Sequence, residues 1–97
     1  MTELEWAWLA GFIDGDGCIR TWIRDGRRKF GITIAQKDPT QLYWIQERLG
    51  GNIAGVRRGT NYQLRWFSRE VVRDMIEHML PYLRVKQEAA QLCLDLI

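Results

Sequence analysis

The sequence predicts an α+β domain in the order αββαββα plus a terminal helix, with a curved antiparallel four-stranded sheet carrying helices on one face. Three observations predict it. Apolar residues recur at helical spacing in segments that open on capping residues and close on Gly or Pro. Between these lie two stretches of period-two alternation. Each such stretch contains its own turn signal, Asp25-Gly26 in the first and Gly59-Thr60-Asn61 in the second, so each reads as a hairpin. At 97 residues, 46% of them hydrophobic and 27% charged, the whole chain (1–97) reads as one globular domain. That size is near the limit where a single core becomes marginal and a partner subunit often helps.

Taken in order, Thr2 with Glu5 forms a capping box for a first helix that runs through 6–13 and stops near Gly15. Residues 18–24 and 27–36 suit two strands joined at Asp25-Gly26. Asp38-Pro39 with Gln41 opens a second helix, with Leu42, Ile45 and Leu49 as its core stripe and Gly50-Gly51 as its stop. The second hairpin occupies roughly 52–58 and 62–67. Ser68 caps a third helix whose inward positions include Val72, Met75, Ile76 and Met79, and Pro81 ends it. A last helix covers about 85–97, with Val85, Ala89, Leu92 and Leu96 on one side.

The first helix is unusual. A helix lying on a sheet should be apolar along one stripe, yet residues 6–13 contain no polar side chain, so more than one side must be covered. Gly11 and Gly15, with Ala7 and Ala10 nearby, offer a face with little side chain where a second helix can approach closely. The expectation is a two-fold homodimer with Ala7, Trp8, Gly11, Phe12 and Gly15 at the interface. The alternative is a central helix covered by the C-terminal helix of the same chain.

Charge is segregated. The net charge is only +2, but the predicted strand regions 18–37 and 51–67 hold nine of the fourteen basic residues against one acid, Asp25. Alternation assigns the faces. Phe30, Ile32 and Ile34 point inward, which leaves Arg27, Lys29, Gly31 and Thr33 outward. Ile19, Thr21 and Ile23 point inward, leaving Cys18, Arg20, Trp22 and Arg24 outward. Leu64 and Trp66 point inward, leaving Gln63 and Arg65 outward. Arg57 and Arg58 are adjacent and cannot share a face. A basic, hydrogen-bonding ribbon of this kind suits the major groove of double-stranded DNA, where Arg reads guanine and Gln reads adenine. Trp22, outward among cations, argues for a partner. Trp6, Trp8, Trp44 and Trp66 fall at apolar positions, as core or dimer contacts.

Several classes are excluded. The longest apolar run, 6–13, is too short to span a membrane. Glu3 and Glu5 stand where a signal peptide would be basic. Cys18 and Cys93 lack metal-ligand spacing and read as free thiols in an intracellular, reducing compartment.

The most informative stretch is Leu9-Ala10-Gly11-Phe12-Ile13-Asp14-Gly15-Asp16-Gly17, an apolar helix running into two carboxylates flanked by glycines. It resembles the signature of the LAGLIDADG homing endonucleases, departing from the namesake only in Phe12 for Leu and Gly15 for Ala. The resemblance extends to the element order. It implies that this single-motif chain acts as a homodimer on double-stranded DNA, and that homodimeric relatives carry further helices beyond the matching segment. It also implies that Asp16, with the backbone carbonyl of Gly15, holds a divalent metal, Mg²⁺ for cleavage, with Ca²⁺ supporting binding alone. Opposed Asp16 carboxylates at a two-fold axis need a cation between or beside them. Asp14, two residues earlier, reads as a structural hydrogen-bonding acid. The alternative for Asp16 is a plain helix-terminating Asp-Gly turn.

Two further positions resemble the family's solvent-organising shell, and a third departs from it. Gln36, ending the second strand beside Lys37, stands where a polar residue orders water near the metals. Lys86 resembles the lysine that closes the site near the last helix; its alternative is an ordinary solvated lysine. The arginine found early in the second helix of relatives is replaced here by the run Thr40-Gln41-Leu42. The function so implied is a site-specific, Mg²⁺-dependent double-strand DNA endonuclease cutting a long pseudo-palindromic site. The rival functions are an inactive DNA-binding regulator or RNA-splicing maturase on the same fold, and a protein-binding domain.

Overall fold

The capping box opens the chain as expected. Thr2 Oγ1 accepts from the Glu5 backbone N–H at 3.1 Å, and Glu5 Oε1 accepts from the Thr2 N–H at 2.9 Å. In the computed structural model, which describes residues 1–55 and 61–97, this starts α1 (Glu3–Asp16). There follow β1 (Gly17–Arg24), β2 (Arg27–Gln36), α2 (Thr40–Leu49), β3 (Asn52–Ala54), β4 (Tyr62–Trp66) and α3 (Arg69–Met79). A 3-10 turn (Leu80–Tyr82) precedes α4 (Gln87–Leu96). Arg57, Arg58 and the turn expected at 59–60 lie outside the described residues.

The four strands form one antiparallel sheet in the order β1-β2-β4-β3, so the two hairpins meet edge to edge through β2 and β4. Asp25 and Gly26 turn the first hairpin with φ of 52° and 74°, the left-handed pair that a two-residue turn requires. Ile32, Ile34 and Leu64 are fully buried on the inner face, with Phe30 and Trp66 nearly so. They meet Leu9 and Ile13 of α1, Leu42 and Ile45 of α2, and Val72, Ile76 and Met79 of α3. All helices therefore lie on one face, and the other face of the sheet is left to solvent or ligand. Burying a core side chain of this size contributes about 1.5–3 kcal/mol. Trp66 does more than pack. Its indole Nε1 donates to the carbonyls of Leu49 and Gly50, at 3.3 and 3.1 Å, satisfying the end of α2.

Some expectations are corrected. The inward stripe of the last helix is not Val85, Leu92 and Leu96, which are 75%, 51% and 41% exposed. The buried side is Ala90 and Cys93, with Ala89, Leu94 and Ile97 packed beside them. The helix begins two residues later than expected, at Gln87, and its phase is set by a tether from α1 described below. Ile23 points to the helix side but is 58% exposed, because it lies near the hairpin tip where no helix reaches. Ala10, placed with the small-residue face of α1, is buried in the chain's own core. Pro81 does not simply stop α3; it sits inside the 3-10 turn that follows. Tyr82 of that turn donates its hydroxyl to the Glu3 carboxylate, tying it back to the start of α1. Among the described residues no helix is long and apolar enough to cross a membrane. Both cysteines are free, Cys93 buried and Cys18 exposed.

Candidate active site and nucleic-acid interface

The last turn of α1 carries Asp14 and Asp16 and no basic residue. A helix C-terminus bears partial negative charge, so a carboxylate there is at the disfavoured end unless a cation attends it. The two acids meet this differently. Asp14 turns to its own chain: Oδ2 accepts from the Arg84 backbone N–H at 2.7 Å and Oδ1 from that of Lys86 at 3.0 Å. Lys86 Nζ then donates to the Asp14 main-chain carbonyl at 2.7 Å. Partial burial works to raise the Asp14 pKa, but the backbone donors of Arg84, Lys86 and Val85 and the Lys86 charge outweigh it, leaving it below the usual value. Asp14 is thus a structural acid that clamps the lead-in to α4 and sets that helix's phase.

Asp16 ends the helix exposed. Gln36 Nε2, at the end of β2, donates to Asp16 Oδ2 at 2.8 Å across twenty residues of sequence. The expected shell residue therefore does meet the expected acid. Lys86 reaches the same helix end, half-buried, but it touches the carbonyl of Asp14 rather than the Asp16 carboxylate. The Gly15 carbonyl belongs to the last helical turn, where carbonyls lack intrahelical donors. One exposed carboxylate with backbone carbonyls is a hard oxygen donor set, but a sparse one. Among the described residues no three His, Cys, Asp or Glu side chains cluster as a metal site.

The three motif glycines separate by environment. A Cβ on Gly17 would stand 2.9 Å from the Ile13 Cα and Cγ2, so the close return of the chain against α1 forbids a side chain there. A Cβ on Gly11 or Gly15 would meet nothing within 4 Å. Nothing among the described residues requires those two to be glycine. They lie on an uncovered stripe with half-buried Ala7 and Phe12 and with Trp8, 41% exposed. Leu4, at 84% exposure, extends the stripe, and an open cleft of about 570 Å³ continues it to Gln41 and Trp44 on α2. Leu4 escaped the sequence reading of this face, whereas Trp44 is among the tryptophans expected as core or dimer contacts. The helix α4 packs chiefly on β1, α3 and the 3-10 turn, leaving the stripe open.

On the far side of the sheet, register sets the rows. Arg24 lies opposite Arg27, Trp22 opposite Lys29, Arg20 opposite Gly31, and Thr33 between Cys18 and Arg65. Gln63 is opposite Ala35. Eight of the ten residues expected to face DNA are thereby on one surface; Arg57 and Arg58 are the two not described. Among the described residues the ion pairs involve only Arg48 and His78 as cations, so this face keeps its positive charge uncompensated. Trp22 is not a lone exposed ring: it is half-buried, edge to face with Phe67, and the Arg20 guanidinium lies over it. Phe67 follows Trp66 at the end of the expected strand, in the outward phase of Gln63 and Arg65, and the alternation that assigned those two could have found it. Arg28, though basic, is on the helix side and donates to Thr21 Oγ1 at 3.2 Å.

An exposed carboxylate at a helix end, an open small-residue stripe and a cationic sheet face are the three features of this surface. Residues 9–94 match the LAGLIDADG endonuclease family, and the chain belongs to that family. It is similar to the DNA endonuclease I-CvuI of Chlorella vulgaris, 32% identical over 104 residues, which cover 98% of this chain and 65% of that protein. It is 28% identical to I-CreI of Chlamydomonas reinhardtii over 98 residues, 93% of this chain and 60% of that one. A solved I-CvuI complex with the I-CreI target in the presence of Mg superposes with a TM-score of 0.86 at 31% identity, covering 96% of this chain and 65% of the other. The meganuclease I-AabMI bound to uncleaved DNA gives 0.76 at 28% identity, over 96% of this chain and 35% of that one. This chain thus spans less than two thirds of the curated relatives it matches.

Proposed function

We propose that two copies of this chain form a site-specific double-strand DNA homing endonuclease, hydrolysing phosphodiester bonds with Mg²⁺ at a long pseudo-palindromic site. The observation that carries this reading is Asp16, an exposed carboxylate at the negative end of α1 that, among the described residues, receives only a neutral amide. Two such carboxylates brought together by the open stripe would repel strongly without a cation. Asp16 with the Gly15 carbonyl would hold the metal, and the oxygen donor set fits Mg²⁺, which keeps several waters. When bound, the ion supplies charge that favours a hydroxide nucleophile and the departing 3′ oxygen. The chain's own residues do the rest. Gln36 holds the Asp16 carboxylate in one orientation, and its carbonyl oxygen remains to order a water. Lys86 and Asp14 together lock the helix end to the lead-in of α4, and the Lys86 charge lies near a phosphate entering the site. Arg20, Arg24, Arg27, Lys29, Arg57, Arg58 and Arg65 bind backbone and guanine edges, while Thr33 and Gln63 add hydrogen bonds.

The test is selection from a randomised duplex library in Ca²⁺, followed by exchange into Mg²⁺. The expected outcome is a near-palindromic site, cut only in Mg²⁺ and left intact by Asp16→Asn. Enrichment without cutting would replace this reading with a DNA-binding regulator or maturase. Absence of enrichment at low salt would remove DNA as the partner.

A further inference from the structure

We propose that Trp22 and Phe67 form an aromatic pedestal that orients the Arg20 and Arg65 guanidinium groups toward base edges, with Phe67 a positioning residue that sets base preference. This rests on the DNA-binding reading above and names how its specificity is built.

Phe67 is held at both ends of its backbone. Trp66, before it, anchors in the core as the last residue of β4, and Ser68, after it, caps α3 by accepting from the Val71 N–H. Alternation past the buried Trp66 turns the Phe67 ring onto the outer face. There it meets Trp22 edge to face, with ring centroids 6.2 Å apart at 86°. Both rings close over Gly31: a Cβ there would stand 3.0 Å from Phe67 Cδ1 and 3.2 Å from Trp22 Cη2. Gly31 is the register partner of Arg20, so the bare backbone at that point makes room for the pair between two arginines. The Arg20 Cζ lies 4.6 Å from the Trp22 ring centre, and the Arg65 Cζ 5.9 Å from that of Phe67. Arg65 Nε is enclosed and has no acceptor among the described residues. These rings border an open cleft of about 470 Å³ together with Arg24 and Lys29.

An arginine on a flat strand samples many rotamers, and ordering it on binding weakens both affinity and discrimination. An aromatic face removes much of that freedom in advance, because the planar guanidinium stacks on it and keeps its N–H edge directed outward. Core packing does not explain the pair, since the core lies on the opposite face of the sheet.

The test uses the full chain in the Ca²⁺ selection, with wild type, Phe67→Ala, Phe67→Leu, Phe67→Tyr, Arg20→Ala, Arg65→Ala and the Phe67→Ala doubles. Melting is followed in parallel. Phe67→Ala is expected to flatten base preference about tenfold at the positions that Arg20→Ala or Arg65→Ala also flatten. Phe67→Leu, which keeps volume without a π face, should do the same, whereas Phe67→Tyr restores the preference. The salt dependence of binding should stay that of wild type. In the arginine-deleted backgrounds Phe67→Ala should add nothing. Unchanged preference in both Phe67→Ala and Phe67→Leu overturns the proposal. Loss at positions neither arginine governs overturns it in favour of direct ring contact, and equal weakening on all sequences in favour of a structural role. A wild type that selects no sequence defeats the DNA reading itself, a result separable from all of these.

Discussion

Asp14 and Asp16 are two residues apart on one helix and do opposite work. Asp14 stays ionised, its charge compensated by donors of its own chain, and is there for stability. Its pKa is held below the ordinary 3.8, so its contribution is fully present above that pH and is lost as pH falls through the lower folded value. Asp14→Asn should therefore destabilise at pH 7, with the gap to wild type closing below about pH 4, as urea denaturation across pH would measure. Asp16 sits against the helix dipole with a neutral partner. Asp16→Asn should abolish cleavage while leaving stability equal or higher by up to about 1 kcal/mol. A lowered denaturation midpoint in that variant would make Asp16 a structural residue instead. The residue types and their spacing were legible in the motif. That Lys86 would bond the Asp14 carbonyl was not, because that contact spans seventy-two residues.

At the scale of the element, α1 is read correctly as a helix; one side is covered by the chain's own core, the other stays open, and its glycines divide the labour. Gly17→Ala forces a side chain into Ile13 and should cost about 1–3 kcal/mol. Gly11→Ala meets open space and should raise the stability of the isolated subunit by up to about 1 kcal/mol through helix propensity. The same change should weaken self-association, seen as a shift toward monomer in sedimentation; tighter association would place the dimer contact elsewhere. The last helix was misread for a clear reason. Its larger apolar residues Val85, Leu92 and Leu96 also recur near helical spacing, but periodicity leaves open which stripe faces in. The Asp14 clamp on Arg84 and Lys86 decides it, and it turns the small residues Ala90 and Cys93 inward.

For the whole molecule, charge and sheet topology act together. Joining the hairpins through β2 and β4 gathers Arg20, Arg24, Arg27, Lys29 and Arg65 on one surface without a carboxylate partner among the described residues. In the proposed two-copy assembly that surface would be doubled. Binding to a duplex should therefore fall steeply with salt, by roughly 10³-fold or more between 50 and 200 mM if six or more phosphates are engaged. Fluorescence anisotropy across that range measures it, and a flat response would point to a protein partner instead.

The sequence by itself determined the α+β order, the caps at Thr2 and Ser68, the Asp25-Gly26 turn and the inward–outward assignment of β2 and β4. It also determined the family motif with its acid. Each of these is written in a few neighbouring residues, through capping, turn conformation or period. Tertiary structure alone decided the phase of α4 and the meeting of Gln36 with Asp16. It also decided which motif glycines face outward and the closure of Trp22 and Phe67 over Gly31. Those depend on distances between elements far apart in the chain, and local patterns of hydrophobicity carry no information about such distances.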